Sequence, residues 1–493
     1  MNPAVAPPSL PGFLGRFLVL KGAVRELWLI FAIKFIAVAA YAVTNSTLKL
    51  WLSSDLGYSD KEALALVAGW SLVMTVVTLL VGSLTDAIGL RKTFFLGVWV
   101  CVLARTVMVF TSVKWLALTG GLIPLAVGEA LGTPVTVAAV RRFSNTRQRS
   151  ISFSMFYAMM NVGFLAASFI FDYVRLGLGE HGHFTVPLVN VEITTYRALF
   201  LVSLLLEFAL LPLLYFLRVG AEATDEGLKI VPETPKHPNK SFLNAFLLTA
   251  RDAAVETVRL FAGLVRQDGF YRLLAFLMLI AFLKLIFMQM YYVFPTFGIR
   301  ELGEGAKVGS LWAINSIVVI FLVPIVGALT QKFPAYAMVI LGGAISAISV
   351  FIMALPTAWF QGWADGWLGD LIAHKYLGLQ GSVHPYYVMI GLFVVLLSVG
   401  EAFYSPRVYE YAAAIAPKGQ EASYAALSYV PFLLAKLLIG TFSGFLLAKY
   451  CPEVGERHSS TMWLAVALTA SIAPIGLILL KRFIRVHEAG REG

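Results

Sequence analysis

Two segments of this chain set a carboxylate inside a long apolar run: VGEALGTP at Val127–Pro134 and VGEAFYSP at Val399–Pro406. Two further runs hold lysines, Lys34 in IKFIAVAAY and Lys284 in LKLIFMQMY. Tyr41 and Tyr291 occupy matching places after these lysines. A carboxylate or ammonium held in apolar surroundings can grip an opposite charge on a solute, pass a proton, or pair with its neighbour. Buried pairs seldom add net stability over apolar residues. Retaining Lys34, Glu129, Lys284 and Glu401 therefore points to a solute site or a switch; the plainer alternative is that Lys34–Glu129 and Lys284–Glu401 are salt bridges that hold the helices together. Arg105, Glu207 and Lys436 are also deep charges and lean toward structure or gating.

The elements that carry these groups must be membrane helices. The chain has 493 residues, 59% hydrophobic and only 13% charged, with a mean hydropathy of +0.80. Soluble domains average about 25% charged residues. Apolar runs of roughly 20 residues, enough to cross ~30 Å of hydrocarbon, recur along the sequence. Spans are expected to begin near Leu27, Glu62, Thr93, Leu116, Ile151 and Tyr196, then near Phe270, Val308, Ala335, Tyr386, Ala422 and Thr461. The short alternating segments of a membrane β-barrel are not seen.

Charge orients the spans. Basic residues cluster before span one (Lys21, Arg25), after span two (Arg91, Lys92), between spans four and five (Arg141, Arg142) and after span twelve (Lys481, Arg482). Acidic residues such as Asp55, Asp60, Asp365 and Glu453 fall on the opposite loops. The positive-inside rule then places both termini in the cytoplasm of a multi-pass cell-membrane protein. The net charge of +10 is loop charge facing anionic lipid, and no nucleic-acid partner is expected. Cys101 lies within a span and Cys451 in an outer loop, so no disulfide is expected, and no Cys/His metal spacing occurs. The proline-bearing N-terminus reads as a loose tail rather than a cleaved signal.

The expected divisions are a tail at 1–25, a first bundle at 26–218, a cytoplasmic linker at 219–269, a second bundle at 270–484 and a tail at 485–493. Within the linker, DEGLKIVPETPKHPNK is polar and turn-rich, and an amphipathic helix follows, with Phe242, Phe246, Ala250, Ala253, Val258 and Phe261 near one face. Sliding the chain by 272 residues lays Gly128 on Gly400, Glu129 on Glu401, Pro134 on Pro406, Gln148 on Gln420 and Tyr157 on Tyr429. GSLTD at Gly82–Asp86 echoes GALTQ at Gly327–Gln331. A duplicated six-span unit is typical of secondary transporters with a site between the halves. The expected fold class is an all-α membrane protein of twelve transmembrane helices in two pseudo-symmetric six-helix bundles.

GSLTDAIGLRKT, Gly82–Thr93, resembles the cytoplasmic loop motif of the major facilitator superfamily: G-x-L-x-D, a glycine, then paired basic residues. Ala87 replaces the usual basic residue after the aspartate. The resemblance implies that Asp86 and Arg91 act in gating as the halves rock. It also implies that spans one, four, seven and ten line the cavity, bringing Lys34, Glu129, Lys284 and Glu401 to it. A narrower resemblance is to the proton-coupled oligopeptide transporters. FSMFYAMMNVG at Phe153–Gly163, NSIVVIFLVP at Asn315–Pro324 and GEAFYSP at Gly400–Pro406 are similar to that family's segments in spans five, eight and ten. Its first-span E-x-x-E-R-F-x-Y-Y is here KFIAVAAYA, Lys34–Ala42, with only Tyr41 kept, and its span-four lysine is Thr133.

That resemblance implies an amine clamp of Asn161, Asn315 and Glu401. The family's cations for the substrate carboxylate are Val38 and Thr133 here, leaving Lys34 and Lys284 at different places. The expected activity is secondary active transport, by alternating access, of a peptide-like or amine-bearing small solute. The expected binding residues are Tyr41, Asn161, Lys284, Tyr291, Asn315 and Glu401. Coupling and gating are expected at Lys34, Asp86, Arg91 and Glu129, with protons the ion that the family implies. The alternatives are a drug, sugar or organic-anion carrier of the same fold, or a substrate sensor. No nucleophile–base pair, metal cluster or phosphate-binding glycine loop marks an enzyme, no cofactor is expected, and the chain is expected to work as a monomer in the lipid bilayer.

Overall fold

The computed structural model describes residues 20–145, 148–187, 189–231, 265–330, 333–415 and 430–485, with scattered positions between 241 and 263. The long helices of the first half are α1 (Arg25–Ser54), α2 (Asp60–Ile88), α3 (Leu90–Phe110), α4 (Ile123–Arg142), α5 (Arg149–Leu178) and α6 (Thr195–Tyr215). Those of the second half are α7 (Asp268–Tyr292), α8 (Val308–Leu329), α9 (Ala335–Ile352), α10 (Pro385–Ile415), α11 (Val430–Leu438) and α12 (Ser459–Leu479). Among the described residues, eleven helices are long and apolar enough to cross a membrane. The expected eleventh span starts at Ala422, outside the described residues. Its described part is helical from Val430 to Tyr450, through a π-helical stretch at Ile439–Ser443.

Local chemistry sets the helix ends. Ser59 and Glu62 form a capping box at the start of α2: the serine hydroxyl accepts from the Glu62 N–H, and the Glu62 carboxylate accepts from the Ser59 N–H at 2.9 Å. Gly89, the motif glycine, takes φ 91° and turns α2 directly into α3. The sequence pattern gives no sign of two antiparallel hairpins. One pairs β1 (His183–Val186) with β2 (Val191–Thr194) between α5 and α6. The other pairs β3 (Ala221–Thr224) with β4 (Gly227–Ile230) where the linker begins. The described positions from 244 to 263 are helical, and Leu247, Val255 and Val258 are exposed. Phe242, Phe246, Ala250, Ala253 and Phe261 lie outside the described residues.

Within the first half, α1 packs on α5 and α6, and α3 on α4 and α6. Within the second, α9 and α8 pack on α10, and α7 on α11 and α12. The halves meet where α5 packs on α8 and α2 on α11. The glycine that precedes each repeated glutamate sits at a close helix crossing. A Cβ on Gly128 would lie 3.0 Å from the Gly97 carbonyl of α3, and one on Gly400 2.6 Å from the Gly342 carbonyl of α9. The repeat thus conserves a packing device and holds the next residue, Glu129 or Glu401, at a fixed depth in its helix.

Candidate solute site and gates

In the second half, α8 and α10 bring Asn315 and Glu401 together. The Asn315 amide donates to the Ser398 hydroxyl at 2.9 Å and to the Glu401 carboxylate at 3.0 Å. With both N–H groups used, the amide oxygen is the face left for a donor. Lys284, buried on α7, lies 5.1 Å from the Tyr404 ring centroid and 5.5 Å from that of Phe287. The Glu401 charge acts on it. One carboxylate, one amide and one ammonium therefore share this region.

In the first half the partners differ from a simple lysine–glutamate pairing. Glu129 is bound by Arg105 of α3 at 2.5 Å. Arg105 also donates to the Ser203 hydroxyl at 2.7 Å and faces Glu207 of α6 at 3.3 Å. Lys34 instead lies over the Phe156 ring of α5, 4.6 Å from its centroid, a cation–π contact within electrostatic reach of Glu129. Lys436 of α11 lies 5.7 Å from the Trp70 ring centroid of α2, and Glu129 acts on it too. Glu129 thus feels cations from both halves.

Aromatic rings join these clusters. Tyr41 stacks on Trp70, and Tyr291 meets both Trp312 and Phe164, the last from the opposite half. Asn161 is placed apart from the Asn315–Glu401 pair in its bonding: its amide donates to the Tyr157 carbonyl of its own helix at 3.0 Å. Gly163, the last residue of the same signature, packs where a Cβ would stand 2.9 Å from Val38 on α1. Val38, at the position of the family's arginine, is therefore part of a helix contact. Thr133 and the Asp86 side chain lie outside the described side chains. Arg91 caps α6, donating to the Leu214 and Tyr215 carbonyls at 3.2 and 2.8 Å.

At the face distal to the start of α1, the halves are tied together. Asp172 of α5 accepts from the Gly309 N–H at 2.9 Å and from the Ser310 N–H and hydroxyl at 2.6 Å each, so it caps α8 from across the interface. Arg175, one turn on, donates to the Glu304 carbonyl at 2.9 Å and to that of Ala306. Asp60 of α2 binds Lys49 at 2.6 Å and, across the halves, Arg300 at 2.8 Å. Tyr292 donates to the Asn45 side-chain oxygen at 2.6 Å. Nearby, burial pushes the Glu180 carboxyl above its usual range, against the pull of Arg175. Asp55, burying its carboxyl beside Thr194 and Arg197, is raised for the same reason. A cavity of about 460 Å³ opens elsewhere, between α2, α7 and α11; its lining, including Ala68, Met278, Phe282 and Leu437, is apolar.

From sequence, Asp60 reads as a loop charge, and Asp172, Arg175, Ser398 and Trp70 do not stand out. An Asp and an Arg one turn apart at the end of an apolar span, as in FDYVR, is the signal that marks Asp172 and Arg175.

Two groups of membrane helices, each with buried charges and tied to the other at the distal face, are the arrangement of a membrane transporter. The sequence matches the Major Facilitator Superfamily over residues 30–372, and the chain belongs to that family. In fold, the chain is similar to a proton-dependent oligopeptide transporter, with TM-score 0.64 and 18% identity, over 93% of this chain and 99% of that one. A POT family transporter in complex with a thioalcohol-conjugated peptide aligns with TM-score 0.68 at 16% identity, over 93% and 96%. The nucleoside transporter NupG aligns with TM-score 0.63 at 11% identity, over 92% and 100%. By sequence, methyl viologen resistance protein SmvA of Salmonella typhimurium is 32% identical over 136 residues, which span 27% of each protein.

Proposed function

We propose that this protein is a secondary transporter that moves an amine-bearing, peptide-like solute by alternating access, from a membrane in which both termini face the cytoplasm. The observation that carries the reading is the hydrogen bond between Asn315 and Glu401, with Lys284 in reach. A carboxylate supplies the countercharge for an ammonium, and an amide oxygen accepts one of its protons. Lys284 and Lys34 supply cations for an acidic group at other places than in the peptide transporters, so an altered or absent carboxylate on the solute is tolerated. The Tyr157 bond of Asn161 leaves that residue's oxygen as its contribution to the clamp. The distal hydrogen bonds support a state closed on that side.

Uptake of radiolabelled L-alanyl-L-alanine into proteoliposomes, with a thermal-shift panel of dipeptides, amines and sugars, tests this. Binding of amines and dipeptides that is lost in Glu401→Gln supports it; binding of sugars alone, unaffected by that change, overturns it. A second reading, export of organic cations, is favoured by the SmvA likeness and by the rings of Tyr41, Trp70, Tyr291 and Trp312. The buried lysines oppose it, and quaternary cations in the same panel decide it.

A further inference from the structure

We propose that the apolar groove between α2, α7 and α11 is a phospholipid site, in which one acyl chain fills the cavity and an anionic headgroup is held by Lys61 and Lys449 at its distal rim. The proposal needs only that the chain spans a membrane, so it stands apart from any reading of the transported solute.

The cavity of about 460 Å³ falls in the size range of small-molecule pockets, roughly 300–1,000 Å³. Its back is formed by the buried Ala68 and Gly440, and its mouth by the exposed Ala65, Gly69, Met278 and Leu437. The mouth turns away from the centre of the molecule. Ser71 is buried beside Tyr292, and Gly69, two residues back, lies on nearly the opposite side of α2. Leu437 is exposed next to the buried Lys436 in the same way. Both α2 and α7 are long and apolar enough to cross a membrane, so the medium that meets this mouth is hydrocarbon. Small residues make the room: a Cβ on Gly69 would meet nothing within 4 Å. An empty space of this kind forfeits the dispersion contacts of its walls, and an acyl chain restores them.

One turn beyond the cavity, each helix carries an exposed lysine. Lys61 stands one turn before Ala65 on α2, and Lys449 one turn after Phe445 on the continuation of α11. A Cβ on Gly444 would lie 3.3 Å from the Lys61 Cα, so the two helices run side by side at this level. Both ammonium groups lie against one ring, Lys61 at 5.4 Å and Lys449 at 5.5 Å from the Phe445 centroid. Two like charges gathered on one ring repel each other. The carboxylates beside Lys61 in sequence are engaged elsewhere, Asp60 by Lys49 and Arg300 and Glu62 by Ser59. Among the described residues neither lysine forms a salt bridge. An anion supplies the countercharge. The start of α2 places these ammonium groups at the membrane boundary, where a lipid phosphate is at hand and the stems can follow apolar surface. The cavity one turn deeper selects a lipid over a free phosphate, because only the lipid brings a chain to fill it. Lys61 belongs to the first half and Lys449 to the second, so one headgroup bridges the two.

The test is native mass spectrometry of the full chain in detergent. It is titrated with dioleoylphosphatidylglycerol, with dioleoylphosphatidylcholine as the neutral lipid, and with glycerol 3-phosphate as the headgroup alone. The wild type should retain one phosphatidylglycerol in preference to phosphatidylcholine, and no glycerol phosphate. K61Q and K449Q should each lower phosphatidylglycerol affinity about fivefold and leave that for phosphatidylcholine unchanged. K229Q, on the exposed β4 strand, should change neither. G69L puts a side chain into the cavity and should weaken both lipids. Equal affinity for the two lipids, a preference kept in K61Q/K449Q, or glycerol phosphate bound as tightly as the lipid overturns the site. Lipid binding unchanged in G69L overturns the place of the acyl chain. If G69L does not fold, the two exposed lysines decide.

Discussion

Replacing Asp172 with alanine should open the distal face. The residue accepts three hydrogen bonds from the first turn of α8, at 2.9, 2.6 and 2.6 Å, and no other side chain of α5 reaches that turn in the described contacts. Losing an N-cap costs about 0.5–2 kcal/mol. Hydrogen bonds to a charged group are each worth about 1.5–3 kcal/mol, but they do not add, and water replaces part of them once the halves part. A net shift of about 2–3 kcal/mol toward the open state results, roughly a 30- to 150-fold change in the equilibrium. If about one molecule in a hundred is open in the wild type, about a fifth or more should be open in the variant. Spin labels on cysteines at the exposed positions Glu192 and Glu453, one in each half, report this by electron–electron double resonance. The variant should show a second, longer distance. A single wild-type distance in Asp172→Ala, and again in Asp172→Ala/Arg175→Ala, would refute the assignment of this seam as a gate.

Gly309→Ala should act in the same direction, because its Cβ would stand 2.2 Å from the Ser168 carbonyl; the same labels report it. Tyr292→Phe removes the inter-half bond to Asn45 and should favour opening by about 0.5–1.5 kcal/mol, read as a faster rate of cysteine labelling at the distal face. Glu401→Gln should weaken dipeptide binding by about 2–5 kcal/mol, and Asn315→Ala by about 1–3 kcal/mol, in calorimetric titrations of folded protein. Cysteines placed between positions 219 and 239 should react with an impermeant reagent only from the cytoplasmic side, and reaction from outside would invert every loop.

The helical membrane fold was legible because apolar runs of spanning length are a strong signal, and the meeting of Asn315 with Glu401 because both stood in motifs resembling one family. The identity of Glu129's partner was not. Arg105 lies on α3, which the resemblance does not place at the cavity, and the choice between Lys34 and Arg105 depends on how α1, α3, α4 and α6 rotate about their axes. Hydropathy does not encode that rotation. The hairpins escaped for another reason: strands of four residues carry too few alternations to stand out from loop sequence. Asn161 shows the converse limit, a motif residue whose position was plain but whose amide is turned to its own helix.

The α5–α8 seam divides its labour unevenly. The gripping side chains, Asp172 and Arg175, both come from α5, while the second half answers mostly with main chain: the N–H groups of Gly309 and Ser310 and the carbonyls of Glu304 and Ala306. Short of proline, which removes the N–H, no substitution takes a main-chain group away. The segment leading into α8 is therefore free to drift at the exposed Glu304 as long as its path is kept, Ala306 stays small enough for the core and position 309 stays a glycine, whereas Asp172 and Arg175 cannot be compensated from the other side. A mutational scan of this seam should find its intolerant positions crowded into one half of a molecule whose two halves carry the same sequence echo.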